Sequence, residues 1–144
     1  MEPRHETPTV AIINNSEDLI RLLSEMLRGA GYQVVSARLV DARAGRVNLV
    51  DFLREHDPDA VIFDLALPYG VNGATLAALK KDGLLHDDSL ILTTPNRRAV
   101  ETLLRIPDAY EITGVPEELA PLVDLVHEAV RQGQIRKAGP PPTS

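Results

Sequence analysis

Three apolar runs of this chain end in polar side chains. Asn14 and Asn15 follow residues 9–13, Asp64 follows residues 60–63, and Thr93 follows residues 90–92. Together they offer one carboxylate, two amides and one hydroxyl. A carboxylate can serve as a nucleophile or as an oxygen ligand for a hard cation, whereas an amide supplies oxygen without charge. Other chemistries are poorly provided for. The chain has no cysteine, which excludes a thiolate metal site, a cysteine nucleophile and a disulfide framework. His5, His56, His86 and His127 lie in different segments with no ligand spacing, and each is expected on the solvated surface. No Gly-x-Gly-x-x-Gly and no P-loop occurs.

Elements must bring these residues together. The apolar runs read as buried strands at 9–13, 32–37, 60–64 and 90–93, with a weak fifth at 110–113. Leu19, Leu22, Leu23, Met26 and Leu27 share one helical face, which predicts a helix over 16–30 that stops at Gly31. Further helices are expected at 47–55, 74–81, 96–105 and 116–132. Residues 38–46 read as a polar loop, and Gly70 and Gly73 as a turn before the third helix. Pro121 is awkward beyond a first turn, so the last regular helix is expected to begin near it. Residues 1–8 and 133–144, the latter rich in proline, read as flexible tails around a single domain at 9–132.

Five strand–helix pairs with continuous apolar strands predict an α/β fold with a parallel sheet covered on both faces. Right-handed crossovers favour the flavodoxin-like (βα)5 three-layer sandwich with strand order 2-1-3-4-5. Ligands of such sheets bind beyond the carboxyl ends of the strands, which is where Asn14, Asn15, Asp64 and Thr93 are delivered.

Composition narrows the class. Hydrophobic residues make up 44% and charged residues 25% of the 144 residues, which is ordinary for a globular domain. The formal charge of −6 and 3% aromatics disfavour nucleic acid as a partner. No apolar run reaches the roughly 20 residues of a membrane span. The expectation is a soluble, cytoplasmic protein without a membrane partner.

The stretch INNSEDLIRLLSEMLRGAGYQV, followed by PDAVIFDLALP and LILTT, resembles the receiver domains of two-component response regulators over about residues 9–132. The resemblance implies that Asp64 is equivalent to the phosphoaccepting aspartate and Thr93 to the switch hydroxyl. It also places Tyr110 at the switch aromatic. In receivers a magnesium ion and a lysine assist phosphotransfer. The family's acidic pair falls on Asn14 and Asn15, and its lysine on Thr113. The chain's only lysines are Lys80, Lys81 and Lys137, and none lies near that position. The loop after the second strand is several residues longer than is usual in receivers.

These departures alter the expected chemistry. A unit charge about 4 Å from a divalent ion is worth up to about 4 kcal/mol at an effective dielectric of about 20, before desolvation. Two amides in place of two carboxylates therefore predict a large loss of metal affinity, with at most weak binding at Asp64. A lone carboxylate flanked by amides also escapes the repulsion that lifts a clustered carboxylate's pKa. The asparagines have a second role open to them as N-caps of the first helix.

The expected function is a stand-alone, non-enzymatic pseudo-receiver in a two-component or phosphorelay pathway, with impaired or absent magnesium-dependent phosphorylation and no cofactor. The alternative is a phosphorylatable response regulator that takes phosphate on Asp64 from a histidine kinase and needs Mg²⁺. An enzyme is disfavoured: the haloacid-dehalogenase type of phosphatase needs an Asp-x-Asp pair, and none follows the first strand. Expected partners are a kinase or an output protein, with a homodimer through 96–105, 110–113 and 116–132 as the resemblance's contact face.

Overall fold

Alternate residues of a strand face opposite sides of its sheet, and here that alternation divides the core in two. Val10, Ile12, Ala60 and Ile62 belong to one buried cluster, while Ala11, Ile13, Val61 and Phe63 belong to the other. Strands buried on both faces must occupy the middle of a parallel sheet. The computed structural model, which describes residues 7–112, 117 and 119–139, has them there. The elements run β1 (Thr9–Ile13), α1 (Glu17–Gly29), β2 (Gln33–Ala37), α2 (Leu39–Arg43), α3 (Leu49–His56), β3 (Ala60–Asp64), α4 (Tyr69–Lys81), β4 (Leu90–Thr94), α5 (Arg97–Leu103), β5 (Tyr110–Glu111) and α6 (Leu119–Ala138). A single 3₁₀ turn, Asp87–Ser89, precedes β4.

The sheet is parallel throughout, in the order β2-β1-β3-β4-β5 that the sequence predicts. Leu23 and Leu27 of α1 and Leu122, Val126 and Val130 of α6 cover one face. Leu53 of α3, Leu76 and Leu79 of α4 and Val100 of α5 cover the other. Register sets the functional edge: Ile13 lies beside Ala37 and Phe63, and Asp64 beside Thr93.

Four boundaries depart from expectation. Residues 38–46 are not all loop, because Leu39 buries its side chain and anchors the short helix α2. A five-residue helix is too short to display a period in sequence.

Helix α4 begins at Tyr69 rather than at 74. Gly73 lies inside it and does not serve a turn; a Cβ there would stand 3.0 Å from Leu104 Cδ1, so the glycine lets Leu104 pack closely. Asn72, also buried, donates from Nδ2 to the Ala66 carbonyl at 2.8 Å and holds the preceding loop.

Helix α6 runs to Ala138, six residues beyond its expected end and into the segment expected to be a tail. Gly133 is buried against β3, where a Cβ would fall 1.8 Å from the Asp59 carbonyl oxygen. A residue that looks like a helix stop is instead the one residue that fits this crossing. Beyond it, Arg136 Nη2 donates to Ser89 Oγ at 2.9 Å and Lys137 Nζ to Asp59 Oδ1 at 3.0 Å. Pro121 lies in the first turn of α6, where its missing N–H removes no intrahelical bond.

Strand β5 is described only for Tyr110–Glu111. Thr113, Pro116, residues 1–6 and residues 140–144 lie outside the described residues.

Candidate functional site

Asp64 ends β3, only 8% exposed at the carboxyl edge of the sheet. Thr93, its neighbour in register, is fully buried and donates from Oγ1 to Asp64 Oδ1 at 2.7 Å. The Leu65 N–H continues the strand pairing to the Thr93 carbonyl at 2.7 Å. Sequence reasoning missed the next residue. Thr94 is equally buried, donates from Oγ1 to the Leu65 carbonyl at 2.7 Å and accepts from the Asn96 N–H at 3.2 Å. The pair of threonines in LILTT was the available signal: adjacent hydroxyls at a strand end point to opposite faces and can bind two different partners, here the Asp64 carboxylate and the backbone around Leu65 and Asn96.

The asparagines follow β1 on the same edge. Asn14 is buried; its backbone N–H donates to the Ala37 carbonyl at 3.1 Å, and its Oδ1 accepts from the Ser16 N–H at 2.8 Å. Neither asparagine is the N-cap of α1. That role falls to Ser16, whose Oγ accepts from the Leu19 N–H at 3.2 Å. Asn15 reaches across the edge instead, and its Oδ1 accepts from the Val40 N–H at 2.9 Å. Val40 is the second residue of α2, a helix whose own cap residue, Arg38, makes no side-chain cap bond. Asn15 therefore caps α2 from 25 residues away. Arg38 Nη1 donates to Glu17 Oε1 at 3.1 Å and ties the same two segments together a second time.

Burial pushes the Asp64 carboxyl up to about 6, against the opposing pull of the Thr93 hydroxyl. This corrects the expectation of an unstrained carboxylate. Repulsion between neighbouring acids is absent, but loss of water acts in the same direction.

The remaining expected residues are spread out. Tyr110 lies beside Thr93 in register, half-buried and packed against the cluster that holds α1 and α6. Lys80 pairs with Asp87 at 2.7 Å, Lys137 is held by Asp59, and Lys81 ends α4; all three lie toward the amino edge of the sheet, opposite Asp64. Two histidines have partners despite their surface positions. The Tyr32 hydroxyl and His127 Nδ1 share a hydrogen bond, and His56 packs edge-on against Phe52 with ring centroids 4.9 Å apart.

The magnesium ion that the resemblance implies fits this edge poorly. Mg²⁺ needs near-octahedral oxygen ligands, commonly one or two carboxylates with waters. In the cluster of Asn14, Asn15, Asp64 and Thr93 the one carboxylate is Asp64, with one oxygen already bonded to Thr93, and both amide oxygens accept from backbone N–H groups. Among the described residues no three Asp, Glu, His or Cys side chains come together as a metal site. The cluster instead joins the ends of β1, β2, β3 and β4 and offers one proton-binding group, Asp64.

No protein-family model matches the chain, and no curated protein matches it. Solved structures do. A signal receiver domain from Vibrio parahaemolyticus superposes with a TM-score of 0.66 at 17% identity, over 95% of this chain and 100% of its own. A chemotaxis response regulator of Vibrio cholerae gives 0.62 at 17% identity, over 84% and 99%. A response regulator protein from Burkholderia multivorans gives 0.56 at 26% identity, over 85% and 97%. With its strand order and helix layers, the chain has the fold of response-regulator receiver domains.

Proposed function

We propose that this chain is a pseudo-receiver: a two-component or phosphorelay-type signalling module that acts through protein contacts, with magnesium-dependent phosphotransfer at Asp64 impaired or absent. One observation carries the reading. The oxygens of Asn14 and Asn15, at the positions of the acidic pair, are already engaged by the N–H groups of Ser16 and Val40. A metal ligand there would have to give up the bond to Ser16 or the cap on α2 and would bring no charge in exchange. In this reading Asp64 is a phosphoacceptor equivalent held by Thr93, Tyr110 is a packed equivalent of the switch aromatic, and Thr113 stands where the lysine is lost. Its partners are a kinase or an output protein, and the face formed by α5, β5 and α6 is the contact surface, including that of a homodimer.

The test is incubation of wild type and Asp64→Asn with acetyl phosphate and Mg²⁺, read by intact mass, with beryllofluoride titrations followed by amide NMR. The expected result is no phosphoryl adduct on either protein and no shift around Asp64. An adduct on wild type alone, with beryllofluoride shifts at Asp64 and Thr93, would replace this reading with that of a phosphorylatable response regulator.

A further inference from the structure

Strand β2 is one edge of the sheet, and its outer side has no partner strand. Alternate residues of a parallel strand direct their N–H and C=O groups to opposite neighbours. The Gln33 N–H donates to the Pro8 carbonyl at 2.8 Å, and the Ala37 carbonyl accepts from the Asn14 N–H at 3.1 Å, so Gln33, Val35 and Ala37 face β1. Val34 and Ser36 therefore face outward, and among the described residues nothing on that side bonds their N–H or C=O groups. Edge strands are normally guarded by a charge, a proline or a bulge. The sequence QVVSA carries no charge and no proline, and its pairing with β1 runs unbroken from Gln33 to Ala37. A groove opens along this edge beside Ser36 and Ala37, with Glu17, Arg21, Glu25 and Arg28 of α1 on its wall.

We propose that this edge binds a second copy of the chain, β2 antiparallel to β2, so that two sheets join into one. With the two-fold axis at Val35, Val34 of each copy lies opposite Ser36 of the other, and each such pair exchanges both of its N–H···O bonds. Val35 then packs on its symmetry mate. The axis stands perpendicular to the sheet, so the two copies of α1 lie antiparallel on the same face. Helix α1 and β2 span similar lengths, about 20 Å and about 16 Å, which sets the middle of α1 level with Val35. The charges on the groove wall alternate in sign along α1. Reversed about that middle, Glu17 faces Arg28 of the other copy and Arg21 faces its Glu25. The complement of this charge order is the same order reversed, which is what a second copy supplies and an arbitrary strand does not. Glu25 and Arg28 make no ion pair among the described residues. Arg21 and Glu17 reach Asp18 and Arg38 in exposed pairs of little worth alone, and Asp41, also on the groove, is held by Arg46. This interface lies at the edge of the sheet opposite β5, leaves the face of α5, β5 and α6 free, and does not depend on phosphorylation of Asp64.

The test is sedimentation equilibrium of the full chain from micromolar to millimolar concentration, with amide hydrogen exchange at both ends of the series. The expected result is a concentration-dependent dimer in which the Val34 and Ser36 amides slow as it forms and those of α5 do not. Glu25→Arg sets like charges against Arg21 of the other copy and is expected to weaken the dimer about tenfold or more, and adding Arg21→Glu is expected to restore it. Both positions are exposed, so neither change endangers the fold. A chain that stays monomeric throughout would overturn the proposal and leave the edge to an extended segment of another protein. So would a dimer indifferent to Glu25→Arg, one not regained by the double variant, or one whose protection appears on α5 and β5 in place of β2.

Discussion

Asp64 has to ionise where water reaches it poorly, and that makes its charge a stability question. Its carboxyl lies near 3.8 when solvated and at about 6 in the folded chain. Below the lower value both states hold the proton, and the buried acid contributes its full share of stability. As pH rises through about 6 the folded state must carry a buried anion, and roughly 2–3 kcal/mol of that share is lost. Asp64→Asn keeps an oxygen for Thr93 and never ionises. It is expected to match wild type at about pH 4 and to exceed it by about 2 kcal/mol at about pH 8 in urea denaturation. A pH-independent difference would mean that burial does not govern this group. The asparagines allow the converse experiment. Aspartate accepts hydrogen bonds as asparagine does, so Asn14→Asp with Asn15→Asp retains both contacts and adds two charges beside Asp64. The double variant is expected to lose stability without metal and to recover it with Mg²⁺, its affinity for the ion exceeding wild type by about tenfold or more. Calorimetry with and without the ion decides this, and a variant indifferent to Mg²⁺ would show that charge is not the missing ingredient. Asp64 and Thr93 were legible in the sequence because each ends a continuous apolar run. The work of Asn15 was not, because its partner is a backbone N–H in a segment without any period.

Elements were legible where burial imposes a long period and obscure where a single contact decides. Helix α1 could be read from its leucine face, with Ser16, Glu17 and Asp18 marking its start. Helix α2 could not, since its start depends on Asn15. Asn15→Ala is accordingly expected to cost about 1 kcal/mol and to release α2 first, seen as faster amide exchange over Leu39–Arg43. Glycines supply the sharpest contrast, because sequence alone treats them as equivalent breakers. Gly133 faces the Asp59 carbonyl, which is backbone and cannot swing aside, so Gly133→Ala is expected to destabilise by about 1–3 kcal/mol. Gly70, also helical, has nothing within 4 Å of an added Cβ. Gly70→Ala is therefore expected to stabilise by up to about 1 kcal/mol through helix propensity. Thermal unfolding of the two variants tests the pair, and equal effects of the same sign would mean that the close approach of α6 to β3 is misplaced.

For the molecule as a whole, the strand order sets which parts can open alone. The two central strands, β1 and β3, are each paired on both sides and covered by helices on both faces. The edges are built differently. Strand β2 leaves Gln33 and Ser36 exposed, and β5 pairs through Tyr110 and Glu111 alone among the described residues. This gradient could be read in advance, because the central runs are wholly apolar while Glu111 sits in the weak last one. The two edges nevertheless differ in their supports. At the β2 side, Asn15 and Glu17 tie the following segment to the start of α1, whereas β5 has Glu111 Oε2 accepting from the Arg97 N–H at 3.0 Å on the surface. Local opening should therefore be unequal. Native-state hydrogen exchange is expected to place Val10–Ile13 and Ala60–Phe63 at the free energy of global unfolding, β2 below them, and β5 with α5 lowest. If β5 and α5 exchanged only with the central strands, the sheet would open as one unit and a contact face built on β5 would be rigid. Early exchange confined to that edge would instead make it the part of the molecule that a protein partner can remodel without disturbing the cluster around Asp64.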